Sequence, residues 1–149
     1  MDAATPNPID ATVDEMIETF DLLGDWEQRF RHLIDLGRDL EPLSVQERDD
    51  AHKVRGCASQ VWLVAEPDGY ELLRFRGDSD AHLVRGLIAV LLQLYSGRRP
   101  ADITAFDARA AFERLGLPGA LTRQRSNGLF SMVERIRAEA SRVTEGTCN

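Results

Sequence analysis

The sequence predicts an α+β domain in which helices pack on a small antiparallel sheet. Three observations carry that expectation. Residues 12–34 place apolar side chains at helical spacing, residues 59–76 switch to β-branched and aromatic runs interrupted by a turn, and the helical period returns after residue 78. A chain of 149 residues is one domain's length and can bury a core without disulfide staples.

The elements follow in order. Residues 1–8 read as a tail. Thr12 is placed to cap a first helix with Val13, Met16, Ile17 and Phe20 on one face, closed by Gly24. Asp25 and Gln28 have capping-box spacing for a second, striped by Trp26, Phe30, Leu33 and Ile34. Ser44 and Glu47 repeat that spacing for a short third helix after Pro42. Val61, Trp62, Leu63 and Val64 mark a strand over residues 59–65, and Glu66-Pro67-Asp68-Gly69 a turn in which Pro sets φ and Gly permits positive φ. The return strand, residues 70–76, offers Tyr70, Leu72 and Phe75 for burial, and a third strand is left open.

Asp78-Ser79-Asp80 reads as the capped start of the strongest helix. Leu83, Val84, Leu87, Ile88, Leu91, Leu92 and Tyr95 recur at 3.6-residue spacing with Val90 and Leu94 added, so the helix is central; Gly97 ends it. Residues 107–115 form a short helix before Gly116. Leu129, Met132, Val133 and Ile136 stripe a last helix, which Thr122 is placed to cap and which runs to about Ser141. The domain then spans residues 9–142, with 143–149 as a second tail.

Composition narrows the function. The net charge of −7 argues against nucleic-acid or membrane-surface partners, whose affinity rests on excess cations. No apolar run is long enough to span a bilayer and no leader-like segment opens the chain, so a soluble, cytoplasmic protein is expected. Two cysteines, Cys57 and Cys148, are too few for a disulfide framework or a cysteine-based metal site. Phosphate-binding glycine loops, a Gly-x-Ser-x-Gly elbow and a His-Glu-x-x-His pair are all missing from the sequence.

Three stretches depart from what packing alone selects. Cys57 follows Gly56 at a loop-to-strand junction. A lone cysteine is ordinarily a small buried apolar residue, but His52, Lys53 and Arg55 precede this one, and cationic neighbours favour the thiolate. A Cys57–His52 nucleophile and base, and a zinc site from Cys57, His52 and Asp80, are weaker alternatives. Gly77-Asp78-Ser79-Asp80 has helix capping as its plain explanation. Finally, Arg123 and Arg125 oppose the dipole of the last helix in its first turn, and Gly128 inside that helix costs about 1 kcal/mol relative to Ala, which points to close packing.

At these residues the chain resembles the SufE family. The likeness rests on Gly56-Cys57-Ala58-Ser59-Gln60-Val61-Trp62-Leu63, on Gly77-Asp78-Ser79-Asp80 with Leu83-Val84-Arg85-Gly86-Leu87-Ile88, and on Leu121 with Arg125-Ser126-Asn127-Gly128-Leu129. Residues 100–103 and 106–115 are also similar, so it covers Ile9 to Ala138 and leaves out Cys148. The resemblance implies an α+β fold shared with IscU-type scaffolds. It implies that Cys57 accepts sulfur as a persulfide from a SufS-type cysteine desulfurase, stimulates that enzyme, and passes the sulfur to a SufBCD-type cluster scaffold. It implies no metal and no resident cofactor, since pyridoxal phosphate belongs to the desulfurase, and no small-molecule turnover by this protein alone. By the same resemblance, Arg55 and Gly56 would belong to a loop that shelters the cysteine and can extend, Asp80 would help hold the sheltered state, and Arg125 would dock the partner. An allosteric activator that needs no thiol, a carrier feeding a different acceptor, and a cysteine hydrolase are the other readings.

Overall fold

Asn7, not Thr12, caps the first helix. Its Oδ1 accepts from the Ile9 N–H at 3.0 Å, and Pro8 occupies the first turn, where a missing N–H breaks no helical bond. The helix α1 (Pro8–Leu23) thus takes in the end of the expected tail, buries Ile9, Val13, Met16 and Phe20, and leaves Thr12 to accept from the Arg98 guanidinium at 2.7 Å. The structure, a computed structural model, describes residues 7–69 and 71–146. The expected burial of Tyr70 and the tail residue Cys148 lie outside the described residues.

In α2 (Trp26–Arg38) Asp25 caps as its spacing predicts, accepting from the Gln28 N–H at 2.9 Å. The reciprocal Ser44–Glu47 capping bonds also form, at 3.0 and 3.1 Å, yet no helix follows. A cap satisfies orphan donors but does not cover the cost of nucleation. Residues 45–52 carry little apolar surface to bury, and they settle into turns.

The strands β1 (Val61–Asp68) and β2 (Leu72–Ser79) pair antiparallel from Val61↔Ser79 to Asp68↔Leu72. The hairpin is longer than the sequence suggests. Pro67 stays in the ladder opposite Leu73, and the reversal moves on to Gly69 at φ 73°. The pleat turns Leu73, Phe75 and Gly77 inward, so Leu72 faces out and is exposed, contrary to the expected burial. Among the described residues no third strand joins; isolated bridges, Lys53↔Trp62 and Leu73↔Arg98, lie on either side.

Asp78 and Ser79 end β2 instead of capping a helix. The Asp78 carboxylate is buried and already engaged, with Oδ1 accepting from the Ser79 N–H at 2.8 Å and lying 3.1 Å from Arg85 Nε, while Oδ2 accepts from Arg48 at 2.6 Å. The helix α3 (His82–Tyr95) therefore starts without a side-chain cap. Its stability comes from burial, with Leu87, Ile88, Val90, Leu91, Leu94 and Tyr95 all at the centre of the core. It crosses α2 at Gly37 and Gly86 so closely that a Cβ on Gly86 would sit 2.2 Å from the Leu33 carbonyl oxygen.

The short helices α4 (Pro100–Ala105), α5 (Ala108–Leu115, capped by Asp107 at 3.1 Å to the Ala110 N–H) and α6 (Leu117–Ala120) lead to α7 (Arg123–Gly146). Thr122 accepts from the Arg125 N–H at 3.2 Å, and α7 continues past Ser141 into the expected second tail. Leu129, Met132, Val133 and Ile136 are buried as the stripe predicts. Seven helices and one two-stranded sheet among the described residues form a single α+β domain. None of these helices is long and apolar enough to cross a membrane.

Candidate functional site: a thiol loop laid on the last helix

The loop between α2 and β1 closes on itself before it carries any chemistry. The Val54 N–H donates to the Val61 carbonyl at 2.8 Å, and the Leu63 N–H donates to the His52 carbonyl at 2.9 Å. Residues 55–60 bulge from that closure. Gly56, at φ 89°, provides the turn, and a Cβ there would stand 2.5 Å from Ser131 Oγ on α7. Left-handed backbone and close approach both call for glycine at this position.

Cys57 comes next and is half-buried. Its Sγ is 3.5 Å from the Gly128 carbonyl oxygen, a weak sulfur contact, and the space of a Gly128 Cβ lies 3.5 Å from the sulfur. The close packing expected of Gly128 is therefore packing against the thiol. Beside it lies a cavity of about 230 Å³ with Val84, Leu87 and Met132 as its apolar wall, and Thr122, Gln124 and Arg125 as its polar side. The structure thus brings Cys57 and Arg125, from opposite halves of the chain, to one cavity.

The electrostatics depart from the sequence expectation. Burial pushes the Cys57 thiol above its ordinary range, so the resting loop holds the protonated form rather than the thiolate. Two of the three upstream residues are placed away from the thiol. His52 Nδ1 is 2.7 Å from Asp49, and Arg55 lines a different cavity, of about 520 Å³, with Arg109 and Phe130. A Cys57–His52 pair of nucleophile and base is not formed. Nor do Cys57, His52 and Asp80 converge: among the described residues there is no group of three or more His, Cys, Asp and Glu fit to hold a metal ion.

Asp80 reaches the loop from the other side. Its Oδ1 accepts from the Gln60 N–H at 3.0 Å, and its own N–H donates to the Gln60 carbonyl at 3.3 Å, which ties the end of the loop to the start of α3. Sequence reasoning passes over Asp78, the buried carboxylate two residues earlier. Arg48, one of its partners, also lies over the Trp62 ring at 5.7 Å, so turn, strand and helix meet at that one group. Its signal is present, in a second acid next to a glycine, but capping explains it too readily.

A half-buried thiol on a loop packed against the last helix, in a small α+β domain, defines the class of fold and site. The chain belongs to the SufE family, and so to proteins associated with iron–sulfur metabolism. The family model for SufE, described as the Fe-S metabolism associated domain, matches residues 14–140. An uncharacterized SufE-like protein of Rhizobium etli is 50% identical over 133 residues, covering 87% of this chain and 90% of that one. Another, from Rhizobium meliloti, is 46% identical over 132 residues, covering 87% and 94%. The solution structure of a hypothetical protein from Thermus thermophilus superposes with a TM-score of 0.74 over 95% of this chain and 99% of the other; at 19% identity it shows the fold.

Proposed function

We propose that this protein is a cytoplasmic sulfur acceptor and carrier in iron–sulfur cluster assembly, with Cys57 as the carrying thiol. The partner is a SufS-type cysteine desulfurase, whose own cysteine bears the persulfide. The Cys57 thiolate attacks the terminal sulfur of that persulfide. A new S–S bond forms on Cys57, the old one breaks, and the desulfurase cysteine leaves as a thiolate. No oxidant or metal enters the balance. Emptying the desulfurase cysteine speeds the enzyme's next turnover, and the persulfide is passed to a SufBCD-type scaffold.

The observation that carries the reading is the seat of Cys57, half-buried against Gly128 on a loop that turns at Gly56. A protonated, sheltered thiol is slow to react at rest. When the loop extends into water the desolvation is lost, the pKa returns toward about 8.5, and the thiolate becomes available where the partner's persulfide stands. Arg125, exposed at the mouth of the cavity, and Arg55 on the loop supply cations for docking. Asp80 keeps the end of the loop anchored while the tip moves.

The test is alanine formation by the organism's cysteine desulfurase with and without this protein, comparing the native chain with Cys57→Ser, and intact mass read in parallel. The expected result is stimulation that requires Cys57 and a gain of about 32 Da on that residue. Full stimulation by the serine variant assigns an allosteric activator instead, and no stimulation with no added mass removes the desulfurase as partner.

A further inference from the structure

Residues 51–57 run along one face of α7 in the opposite direction to the helix. Cys57 lies on Gly128, Gly56 lies on Ser131 one turn later, and a turn beyond that Arg135 takes the carbonyl oxygens of Lys53 and Ala51 at 3.0 and 2.6 Å. Positions 128, 131 and 135 share a face by helical periodicity. Of the three contacts only the last is strong. The sulfur contact is weak and the Gly56–Ser131 contact is steric, whereas a guanidinium forked across two carbonyls makes charge-assisted bonds of fixed geometry. Glu139, one turn further on, accepts from Arg135 Nε at 3.1 Å and fixes the fork in place.

We infer that Arg135 is a positioning residue for Cys57: by pinning the carbonyls of residues 51 and 53 it sets the register of the thiol loop on α7 and confines its motion to the tip beyond Val54. Arg135 makes no contact with the thiol and lines a separate cavity. Its effect on Cys57 is transmitted by the intervening backbone. That this matters for sulfur transfer rests on the reading of Cys57 given above, but the pinning itself does not.

The experiment uses the full chain without any partner, in a Cys148→Ser background so that Cys57 alone reacts. Iodoacetamide alkylation is followed by intact mass from pH 7 to 10 for the parent, Arg135→Leu and Arg135→Lys, and urea unfolding is recorded for each. Losing a pair of charge-assisted bonds shifts a local opening equilibrium by about tenfold or more. The Leu variant is therefore expected to alkylate at least about threefold faster below the unfolding transition, with its pH midpoint moved down toward the ordinary thiol value. The Lys variant, able to reach one carbonyl, is expected to fall between and covers the case in which Leu does not fold. A rise below threefold for the Leu variant or, where Leu does not fold, no rise for the Lys variant, with an unmoved pH midpoint, overturns the assignment. It does so whether or not the desulfurase responds to Cys57.

Discussion

Glycines at two places in this molecule differ in how closely they are approached. At the crossing of α2 and α3, a Cβ on Gly86 would lie 2.2 Å from the Leu33 carbonyl oxygen, and one on Gly37 2.7 Å from the Gly86 nitrogen. Backbone meets backbone, and neither helix has a flexible side chain that could give way. Under the thiol, a Cβ on Gly128 would stand 3.5 Å from Cys57 Sγ, which is ordinary packing distance. The same residue type closes one interface completely and leaves the other room. The tight contact belongs to the core that holds the site, and the loose one to the site itself.

Substitutions sharpen that contrast. Gly86→Ala is expected to cost about 3 kcal/mol or more, since overpacking against backbone forces two helices apart. Urea unfolding would read it as a large fall in midpoint, and a variant of parental stability would break the comparison. Gly128→Ala is expected to act oppositely on the fold. Alanine gains up to about 1 kcal/mol of helix propensity and meets no clash, so the midpoint stays level or rises. The added methyl takes space beside the sulfur, so on the function proposed above stimulation of a cysteine desulfurase is expected to fall while stability does not.

The smallest effect is one of pH. Burial raises the Cys57 pKa, so the folded protein keeps a proton that the unfolded chain gives up. The resulting contribution is constant below the unfolded thiol's pKa of about 8.5 and declines as pH rises from there toward the folded value. Unfolding free energies measured from pH 7 to 10 are expected to slope downward more for the parent than for Cys57→Ser. Parallel slopes would mean that the thiol is not desolvated in solution.

Much of the fold is legible in the sequence because it follows local rules. The cap at Asp25 and the apolar stripes of α3 and α7 are set by residues three to four apart, and the structure repeats them. Expectation and structure part where distant groups compete for the same atoms. Asp78 looks like a cap until Arg48 and Arg85 claim its carboxylate. Leu72 looks buried until the pairing register of β2 turns Leu73 inward. For the site, Cys57 and Gly56 stand out by their pattern and Arg125 by its conflict with the helix dipole, whereas Asp80 reads as a cap and enters only through the family resemblance. The protonation of Cys57 does not, since neighbours in sequence suggest cations while neighbours in space supply desolvation. Arg135 has no signal at all: on a helix surface it resembles any other solvated arginine.

A two-stranded sheet has no interior strand, so each strand presents an outer row of backbone donors and acceptors that invites pairing with another chain. Here both rows are interrupted by short segments of the same molecule. Residues 52–54 lie along β1 through the His52–Leu63 and Val54–Val61 bonds, and residues 97–98 lie along β2 through bonds with Leu73. The segment shielding β1 is also the root of the thiol loop. A loop that peeled away from its root would bare a row of β1 backbone whenever it opened, and self-association would then compete with delivery. On the function proposed above, a loop pivoting beyond Val54 would present its sulfur while that row stays covered, which would tie the manner of opening to solubility as well as to chemistry.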